Sequence, residues 1–175
     1  MDVSKISRGE NPPVDINVII EVPANSAVKY ELDKESGAMY VDRFLHTAMY
    51  YPSNYGFIPH TLSDDGDPTD AMVMGQVPVQ PGVIIRSRPI GVLMMEDESG
   101  LDEKILCVPV DDLHPYYGNV GSYRDLRPVM LDQIAHFFEH YKDLERGKWA
   151  KIKGWGEAEQ AMDLIREAME RAKGK

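Results

Sequence analysis

The sequence predicts a single α+β domain, mainly β, that spans residues 1–175. Short runs with the period of a β-strand fill most of the first 110 residues, and two segments of helical period come near the end. A chain of 175 residues is long enough for one well-filled core and short for two. The density of strands, about seven in all, indicates a small closed barrel with the two helices packed outside.

Residues 1–15 contain glycine and prolines and no periodic pattern, so we expect an extended N-terminal arm. The next segments are predicted strands, at 17–22, 27–32 and 39–44. Strict alternation in the second strand places Lys29 and Glu31 on one face. Alternation in the third strand places Arg43 on the same face as Met39 and Val41, where a guanidinium needs an anionic partner.

The middle of the chain is less regular. Residues 50–56 are aromatic but interrupted by turn formers, which predicts a shaped loop rather than a strand. Further strands are predicted at 71–77, 83–95 and 105–110. Pro89 indicates an edge or a bulge in the second of these, because proline cannot donate a ladder hydrogen bond. Residues 111–126 are predicted to form a long irregular connection.

Helices are predicted only near the C-terminus. The first begins at Pro128, keeps apolar residues at helical spacing to Tyr141, and is closed by Gly147. The second spans 157–172, with a continuous apolar stripe. Its acids cluster early and its basic residues late, as the helix dipole favours.

Composition narrows the function classes. A net charge of -10 argues against a phosphate-tracking surface, so we expect no nucleic-acid partner. The single cysteine, Cys107, excludes an internal disulfide and is compatible with a reducing compartment. We find neither a leader pattern nor an apolar run of about 18 residues. These features predict a cytoplasmic protein without a membrane partner.

An acidic loop at 63–70 is the most informative stretch. Asp65, Asp67 and Asp70 lie between turn-forming residues, and a tight loop can direct all three carboxylates toward one point. Converging carboxylates repel one another unless a hard divalent cation joins them. A solvated acidic turn is the alternative, and a second pair of acids on a predicted hairpin tip, Asp97 and Asp102, weakens it.

An EF-hand does not fit this loop. Counting from Asp65, position 6 is Asp70 instead of glycine, and position 12 is Gln76 instead of glutamate.

Several cations and tyrosines suit an anionic phosphoryl ligand. Each of the cations is by itself compatible with an ordinary surface charge, and they are Lys29, Arg43, Lys104 and Lys142. Each of the tyrosines could be a core aromatic or a hydroxyl donor, and they are Tyr51, Tyr55 and Tyr141. Metal-holding carboxylates next to such cations are what a phosphoryl group requires. The chain shows neither a glycine-rich phosphate loop nor a nucleotide fingerprint.

Residues 136–140 match the H-x-x-E-H pattern of inverted zinc proteases. His136 and His140 would share a helix face, but the chain is small for such an enzyme. The predicted acidic site also accounts for catalysis without this helix. Interface or surface histidines are the favoured interpretation.

From Glu21 to about Trp155 the sequence resembles the family I soluble inorganic pyrophosphatases of bacteria. The motifs that carry the resemblance are Lys29-Tyr30-Glu31, Val41-Asp42-Arg43-Phe44, Tyr51-Pro52-x-Asn54-Tyr55-Gly56, Asp65-Gly66-Asp67-Pro68-x-Asp70 and His140-Tyr141-Lys142. The resemblance implies a five-stranded OB-like barrel with outer helices and a homohexamer. It also implies Mg²⁺-dependent hydrolysis of pyrophosphate to two orthophosphates by direct attack of water, without a phosphoenzyme.

The resemblance also implies roles for individual residues. Asp65, Asp70 and Asp102 would hold activating Mg²⁺ ions, and Asp97 with Asp102 would hold the ion that arrives with the substrate. Asp67 would be the general base. The groups that would contact phosphate are Lys29, Arg43, Tyr55, Tyr141 and Lys142, with Lys104 close by. Glu21, Glu31 and Tyr51 would support the site from behind.

One residue departs from the family pattern. Thr69 stands where the family usually carries an aliphatic residue, which we expect to affect local packing and not chemistry.

Two rival functions are considered. One is a broader metal-dependent phosphohydrolase that acts on nucleotides or phosphomonoesters. The other is an OB-type nucleic-acid-binding module, against which the net charge of -10 counts. By resemblance, His136 and His140 would lie between trimers, where their protonation would loosen the assembly.

Overall fold

A computed structural model describes residues 1–174. Its strands are β1 (Ile16–Val22), β2 (Val28–Leu32), β3 (Met39–Phe44), β4 (Asn54–Phe57), β5 (Asp70–Val73), β6 (Ile84–Asp97), β7 (Gly100–Leu101), β8 (Lys104–Pro109) and β9 (Ala150–Glu157). Its α-helices are α1 (Pro128–His140) and α2 (Ala158–Lys173), and 3-10 turns occupy Val3–Lys5, Pro115–Tyr117 and Tyr123–Asp125.

Five strands close into a barrel. They pair in the order β1-β4-β5-β8-β6, and β6 pairs again with β1 to complete the ring. The β5–β8 pairing is parallel and the other barrel pairings are antiparallel. The long strand β6 extends beyond the barrel and pairs there with β7 and β9. The predicted α+β fold with an OB-like barrel is therefore confirmed.

The strands are buried on both faces, and each helix covers a different one. Met72 of β5 belongs to the core cluster that contains Phe137 and Phe138 of α1. Its neighbour Val73 belongs to the cluster that contains Ile165 of α2. Successive residues of a strand point to opposite faces, so the two helices pack on opposite sides of the sheet. This packing sets the end of α1, and with it Tyr141, beside the carboxyl end of β6.

Three predictions of secondary structure are wrong or incomplete. Part of the predicted loop at 50–56 is strand β4, and α1 ends at His140 instead of continuing to Gly147. Strand β9 was not predicted, because its glycines and exposed lysines obscure the alternation. In contrast, the expected irregularity near Pro89 is present as a register shift between β6 and β8.

The β2–β3 hairpin forms a separate two-stranded sheet with a bulge near its start. Lys29 pairs with Arg43 and Tyr30 pairs with Val41, so Asp42 is the extra residue on β3. Simple alternation predicted that Arg43 would share a face with Val41, and the bulge overturns this. Arg43 lines a cavity together with Lys29, whereas Val41 is exposed outside that cavity.

The N-terminal residues lie against the barrel. Val3 and Ile6 pack on a small cluster formed by Ile19, Leu32 and Phe57. Within residues 1–174, no helix is long and apolar enough to cross a membrane.

Gly56 tests the barrel packing. A Cβ built on Gly56 would lie 1.8 Å from the carbonyl oxygen of Ile19. Because the opposing atoms are backbone, we expect Gly56→Ala to lower the free energy of unfolding by about 3 kcal/mol. Denaturant melts measure the change, with Gly121→Ala as the control, since a Cβ there meets nothing closer than 3.9 Å. Equal stability of the two variants would contradict the packing described.

Candidate active site

A cavity of about 320 Å³ opens between the β2–β3 hairpin, the barrel and the end of α1. The structure brings all of the sequence-predicted site residues to its wall, and these are Glu21, Lys29, Glu31, Arg43, Tyr51, Tyr55, Asp65, Asp67, Asp70, Asp97, Asp102, Lys104, Tyr141 and Lys142. They come from at least six separate segments of the chain, so the barrel and the hairpin must both form before these groups meet.

The acidic loop is stiffened by its own hydrogen bonds. The Asp67 N–H donates to Asp65 Oδ1 over 3.0 Å, and the Ser63 N–H donates to the Asp67 carbonyl over 2.7 Å. Gly66 has a φ of 95°, which a side chain would strain. The Asp67 side chain itself is 77% exposed and lies 3.6 Å from the Lys34 ammonium. The loop therefore holds an accessible carboxylate in a defined place.

Thr69 belongs to this loop. It is buried, and its hydroxyl oxygen lies 3.1 Å from that of Ser63. The expected effect of this residue on local packing stays a prediction.

Lys104 is the buried cation of the site. Its Nζ lies 2.5 Å from Asp70 Oδ2 and 2.5 Å from Asp102 Oδ1, and its side chain is only 4% exposed. Burial by itself would lower the pKa of this ammonium, but the two carboxylates outweigh burial and raise the pKa well above its usual value. Burial also raises the pKa of Asp102, which Lys104 partly offsets. One cation thus already joins two of the predicted metal ligands.

A second ion pair, between Lys142 and Asp97, also lines the cavity. Lys142 donates to Asp97 Oδ2 over 2.7 Å, and the Ser99 N–H donates to Asp97 Oδ1 over 2.8 Å. Burial opposes ionisation, but these two donors lower the pKa of Asp97. Next to them, Lys148 donates to Glu98 Oε1 over 2.5 Å.

Arg43 has the anionic partners that its position required. Its Nε donates to Asp42 Oδ2 over 2.8 Å and its Nη1 donates to Glu145 Oε2 over 2.7 Å. Asp42 also lies 3.3 Å from the Lys29 ammonium. The bulge of β3 places this acid between two cations of the cavity wall.

The tyrosines pack as aromatic core residues beside the cavity. Tyr51 packs against Phe137, with ring centroids 4.8 Å apart, and against Tyr55 at 5.3 Å. Lys104 Nζ lies 5.7 Å from the Tyr55 ring centroid, which suits a cation–π contact. Burial raises the pKa of Tyr55 well above its usual value, so its hydroxyl keeps the proton that it can donate to a phosphate oxygen.

Glu21 lies at the back of the cavity and is 9% exposed. Its Oε1 accepts a hydrogen bond of 2.8 Å from the Leu32 N–H. Burial, reinforced by the charge of Asp70, raises the pKa of Glu21 from 4.5 to about 7 despite that hydrogen bond.

The donor chemistry fits a hard divalent cation. The acids around the cavity offer only carboxylate oxygens, which Mg²⁺ prefers, and Lys104 shows that Asp70 and Asp102 can share one positive charge. In residues 1–174, no three His, Cys, Asp or Glu side chains form a ready-made metal cluster. In this structure the predicted metal ligands pair with ammonium groups instead: Asp70 and Asp102 with Lys104, and Asp97 with Lys142.

The H-x-x-E-H residues lie apart from this cavity. The rings of His136 and His140 are 4.6 Å apart on α1, and His140 Nδ1 is 2.8 Å from Asp143 Oδ2. Neither histidine lines the cavity.

Sequence reasoning missed several charged groups of the site. Lys34, Glu98 and Lys148 line the cavity, and Asp42 and Glu145 contact Arg43 from outside it. Glu98 follows Asp97 directly in an acidic run, which was an available signal. Lys148 and Glu145 follow α1 in a segment that carries no pattern of its own.

Glu21 predicts a pH dependence of stability. Because the folded pKa is raised from 4.5 to about 7, the folded chain holds a proton that the unfolded chain has lost between these values. The free energy of unfolding is therefore highest below the pKa that Glu21 has in the unfolded chain. It falls by about 3 kcal/mol as the pH rises through the pKa that Glu21 has in the folded chain.

Glu21→Gln keeps the acceptor for the Leu32 N–H and cannot ionise. We expect the metal-free variant to melt at a higher temperature than the wild type at about pH 8, with little difference at about pH 5. Calorimetry in chelator measures both values, with Glu31→Gln as the exposed control. A gain of equal size at the two pH values would refute the assignment.

Comparison with known proteins agrees with this geometry. Residues 18–173 match the family model described as inorganic pyrophosphatase. The inorganic pyrophosphatase of Caulobacter vibrioides is 64% identical over 172 residues, which cover 98% of this chain and 97% of that protein.

Solved structures share the same fold. One is a crystal structure of an inorganic phosphatase of Anaplasma phagocytophilum, with a TM-score of 0.95, 52% identity and coverage of 97% of this chain and 99% of that one. Another is the inorganic pyrophosphatase of Thermus thermophilus, with a TM-score of 0.94, 39% identity and coverage of 99% and 100%. On this evidence, the chain belongs to the inorganic pyrophosphatase family, in its bacterial family I form.

Proposed function

We propose that this chain, an enzyme that hydrolyses pyrophosphate, forms two orthophosphates by direct attack of water with Mg²⁺ as cofactor. The observation that carries the proposal is the alternation of acids and cations around one cavity, shown most clearly by Lys104 between Asp70 and Asp102. Pyrophosphate is a compact polyanion without a base, sugar or acyl group. A site for it needs carboxylates for metal ions and cations for the remaining charge, and this cavity offers both.

The carboxylates divide by position. Asp65, Asp70 and Asp102 would hold activating Mg²⁺, and Asp97 with Asp102 would hold Mg²⁺ that enters with the substrate. Mg²⁺ bound there would neutralise charge on phosphoryl oxygens and would lower the pKa of its bound water toward neutral pH. Glu21, Glu31 and Tyr51 would support these ligands, as the hydrogen bond between Glu21 and the β2 backbone suggests.

The cations and hydroxyls would bind and orient the phosphates. Arg43 and Lys29 line the cavity from the β2–β3 hairpin, and Lys142 lines it from the segment after α1. Tyr55 and Tyr141 line the same cavity and offer hydroxyl donors. Lys104 would add a further positive charge to the cavity wall. A substrate held on two sides is oriented for in-line attack at one phosphorus.

Asp67 would act as the general base. It lies on the stiffened loop with an exposed carboxylate, so a water molecule can reach it. Asp67 would take the proton of the attacking water as the new P–O bond forms. The bond from that phosphorus to the bridging oxygen breaks, and the bridging oxygen leaves with the second phosphate.

The assembly and location are also part of this proposal. We infer a homohexamer from the family resemblance and a cytoplasmic location from the single thiol, Cys107, which is buried and unpaired.

His136 is exposed on α1 beside His140, so protonation of both would place two positive charges 4.6 Å apart, ring centre to ring centre. Sedimentation from neutral pH down through the histidine range is expected to show dissociation, and an unchanged hexamer would contradict this role.

Activity tests the proposal directly. We expect orthophosphate release from pyrophosphate to require Mg²⁺, and to fall by about 10²-fold or more in Asp67→Asn and in Asp70→Asn. Asp163→Asn removes an exposed carboxylate of α2 and is the matched control. A fully active Asp70→Asn would contradict the proposed site.

Substrate choice separates this function from its rival. Rates with pyrophosphate, ATP and p-nitrophenyl phosphate are compared under Mg²⁺, and we expect a strong preference for pyrophosphate. Preference for either of the others would favour the broader phosphohydrolase.

A further inference from the structure

Glu145 lies outside the cavity and, like Asp42, contacts Arg43 on the cavity wall. We propose that Glu145 is a positioning residue, which holds the Arg43 guanidinium where it binds a phosphate of pyrophosphate. The inference rests on the proposed function, because it takes Arg43 as a phosphate-binding group.

The geometry of the guanidinium supports this role. Asp42 accepts from Nε over 2.8 Å and Glu145 accepts from Nη1 over 2.7 Å, so two anions fix two of the three nitrogens. Within residues 1–174, Nη2 donates no hydrogen bond. A planar guanidinium held at two corners presents its third in a defined direction. Nη2 is therefore the nitrogen whose two N–H groups both remain for a phosphate oxygen.

The burial and the ion pairing of the Glu145 carboxylate also support this role. Its side chain is 11% exposed, and in the described part of the chain Arg43 is its single ion-pair partner. Its second oxygen, Oε1, is buried and accepts no hydrogen bond from any residue in 1–174. A buried carboxylate is costly without partners, so the contact with Arg43 is what offsets the burial of this side chain.

The location of Glu145 explains why Arg43 needs it. Arg43 belongs to the β2–β3 hairpin, which forms its own sheet and is not paired into the barrel. Glu145 lies in the turn after α1, where its N–H donates to the Lys142 carbonyl over 2.8 Å. Lys142 is fixed in turn by Asp97 on β6. The Arg43–Glu145 pair therefore links the hairpin that carries Arg43 to the segment after α1 that carries Lys142.

Substitutions of Glu145 distinguish an effect of its negative charge from an effect of its direct contact with Arg43. If Glu145 acted only through its negative charge, moving that charge by one methylene would matter little. If it acts by contact, a shorter side chain fails to reach Nη1 while a neutral side chain of equal length still accepts a hydrogen bond. The series Glu145→Ala, Glu145→Asp and Glu145→Gln separates the two.

Steady-state kinetics of the full-length protein with Mg²⁺ and pyrophosphate provides the test. We expect Glu145→Ala and Glu145→Asp to raise KM about tenfold with kcat within about twofold, because Arg43 contacts the phosphate in both the ground and transition states. Glu145→Gln should stay within about threefold of the wild-type KM. Glu167→Gln, at an exposed acid of α2, is the matched control.

A double-mutant cycle shows whether Glu145 acts through Arg43. In an Arg43→Ala background, Glu145→Ala should add no further rise in KM. A fold defect alone would lower the melting temperature and kcat without this dependence on Arg43. Binding of imidodiphosphate, an uncleaved analogue, is measured by calorimetry for the same variants and should weaken in parallel with KM.

Each failure has its own signature. A wild-type KM in Glu145→Ala, a wild-type KM in Glu145→Asp, or an undiminished effect in the Arg43→Ala background would overturn the positioning role while leaving the proposed function intact. If Arg43→Ala alone binds and hydrolyses pyrophosphate as the wild type does, the phosphate-binding role of Arg43 fails instead.

Discussion

The buried ammonium of Lys104 between Asp70 and Asp102 is the contact on which the rest of the site depends. Two carboxylates this close would repel each other in a low-dielectric interior, and one buried cation makes their proximity stable. Barrel closure creates the arrangement: Ala71 of β5 pairs in parallel with Ile105 of β8, so the residues before them, Asp70 and Lys104, are also neighbours. A slip of register in this pairing would separate the charges.

The arrangement of charges in the cavity explains how a protein with a negative net charge can bind an anionic substrate. A net charge of -10 repels a polyanion, yet pyrophosphate must enter. Acids and cations therefore alternate around the cavity, and Asp42 beside Lys29 and Arg43 shows the pattern on the hairpin wall. Divalent cations at the proposed metal ligands would complete the neutralisation. The same acids that make the protein negative would then bind metal ions and, through them, phosphate.

Local patterns in the sequence predicted much of this, and tertiary contacts account for what they missed. The Asp65–Asp70 loop and the hairpin tip at Asp97 were readable because turn residues and acids occur together within a few positions. The orientation of Arg43 was not readable, since it depends on a single extra residue in β3. Glu145 was missed because its partner is 102 positions away along the chain, and nothing near it in sequence marks the contact.

The central claim is that these carboxylates form one metal centre beside cations that bind phosphate. A crystal structure with Mn²⁺ and imidodiphosphate, recorded at the manganese absorption edge, tests it most directly. We expect anomalous peaks against Asp65, Asp70, Asp97 and Asp102, with a phosphate group in contact with Arg43 and Lys142. Manganese bound elsewhere, with no peak at Asp70 and the analogue outside this cavity, would contradict it.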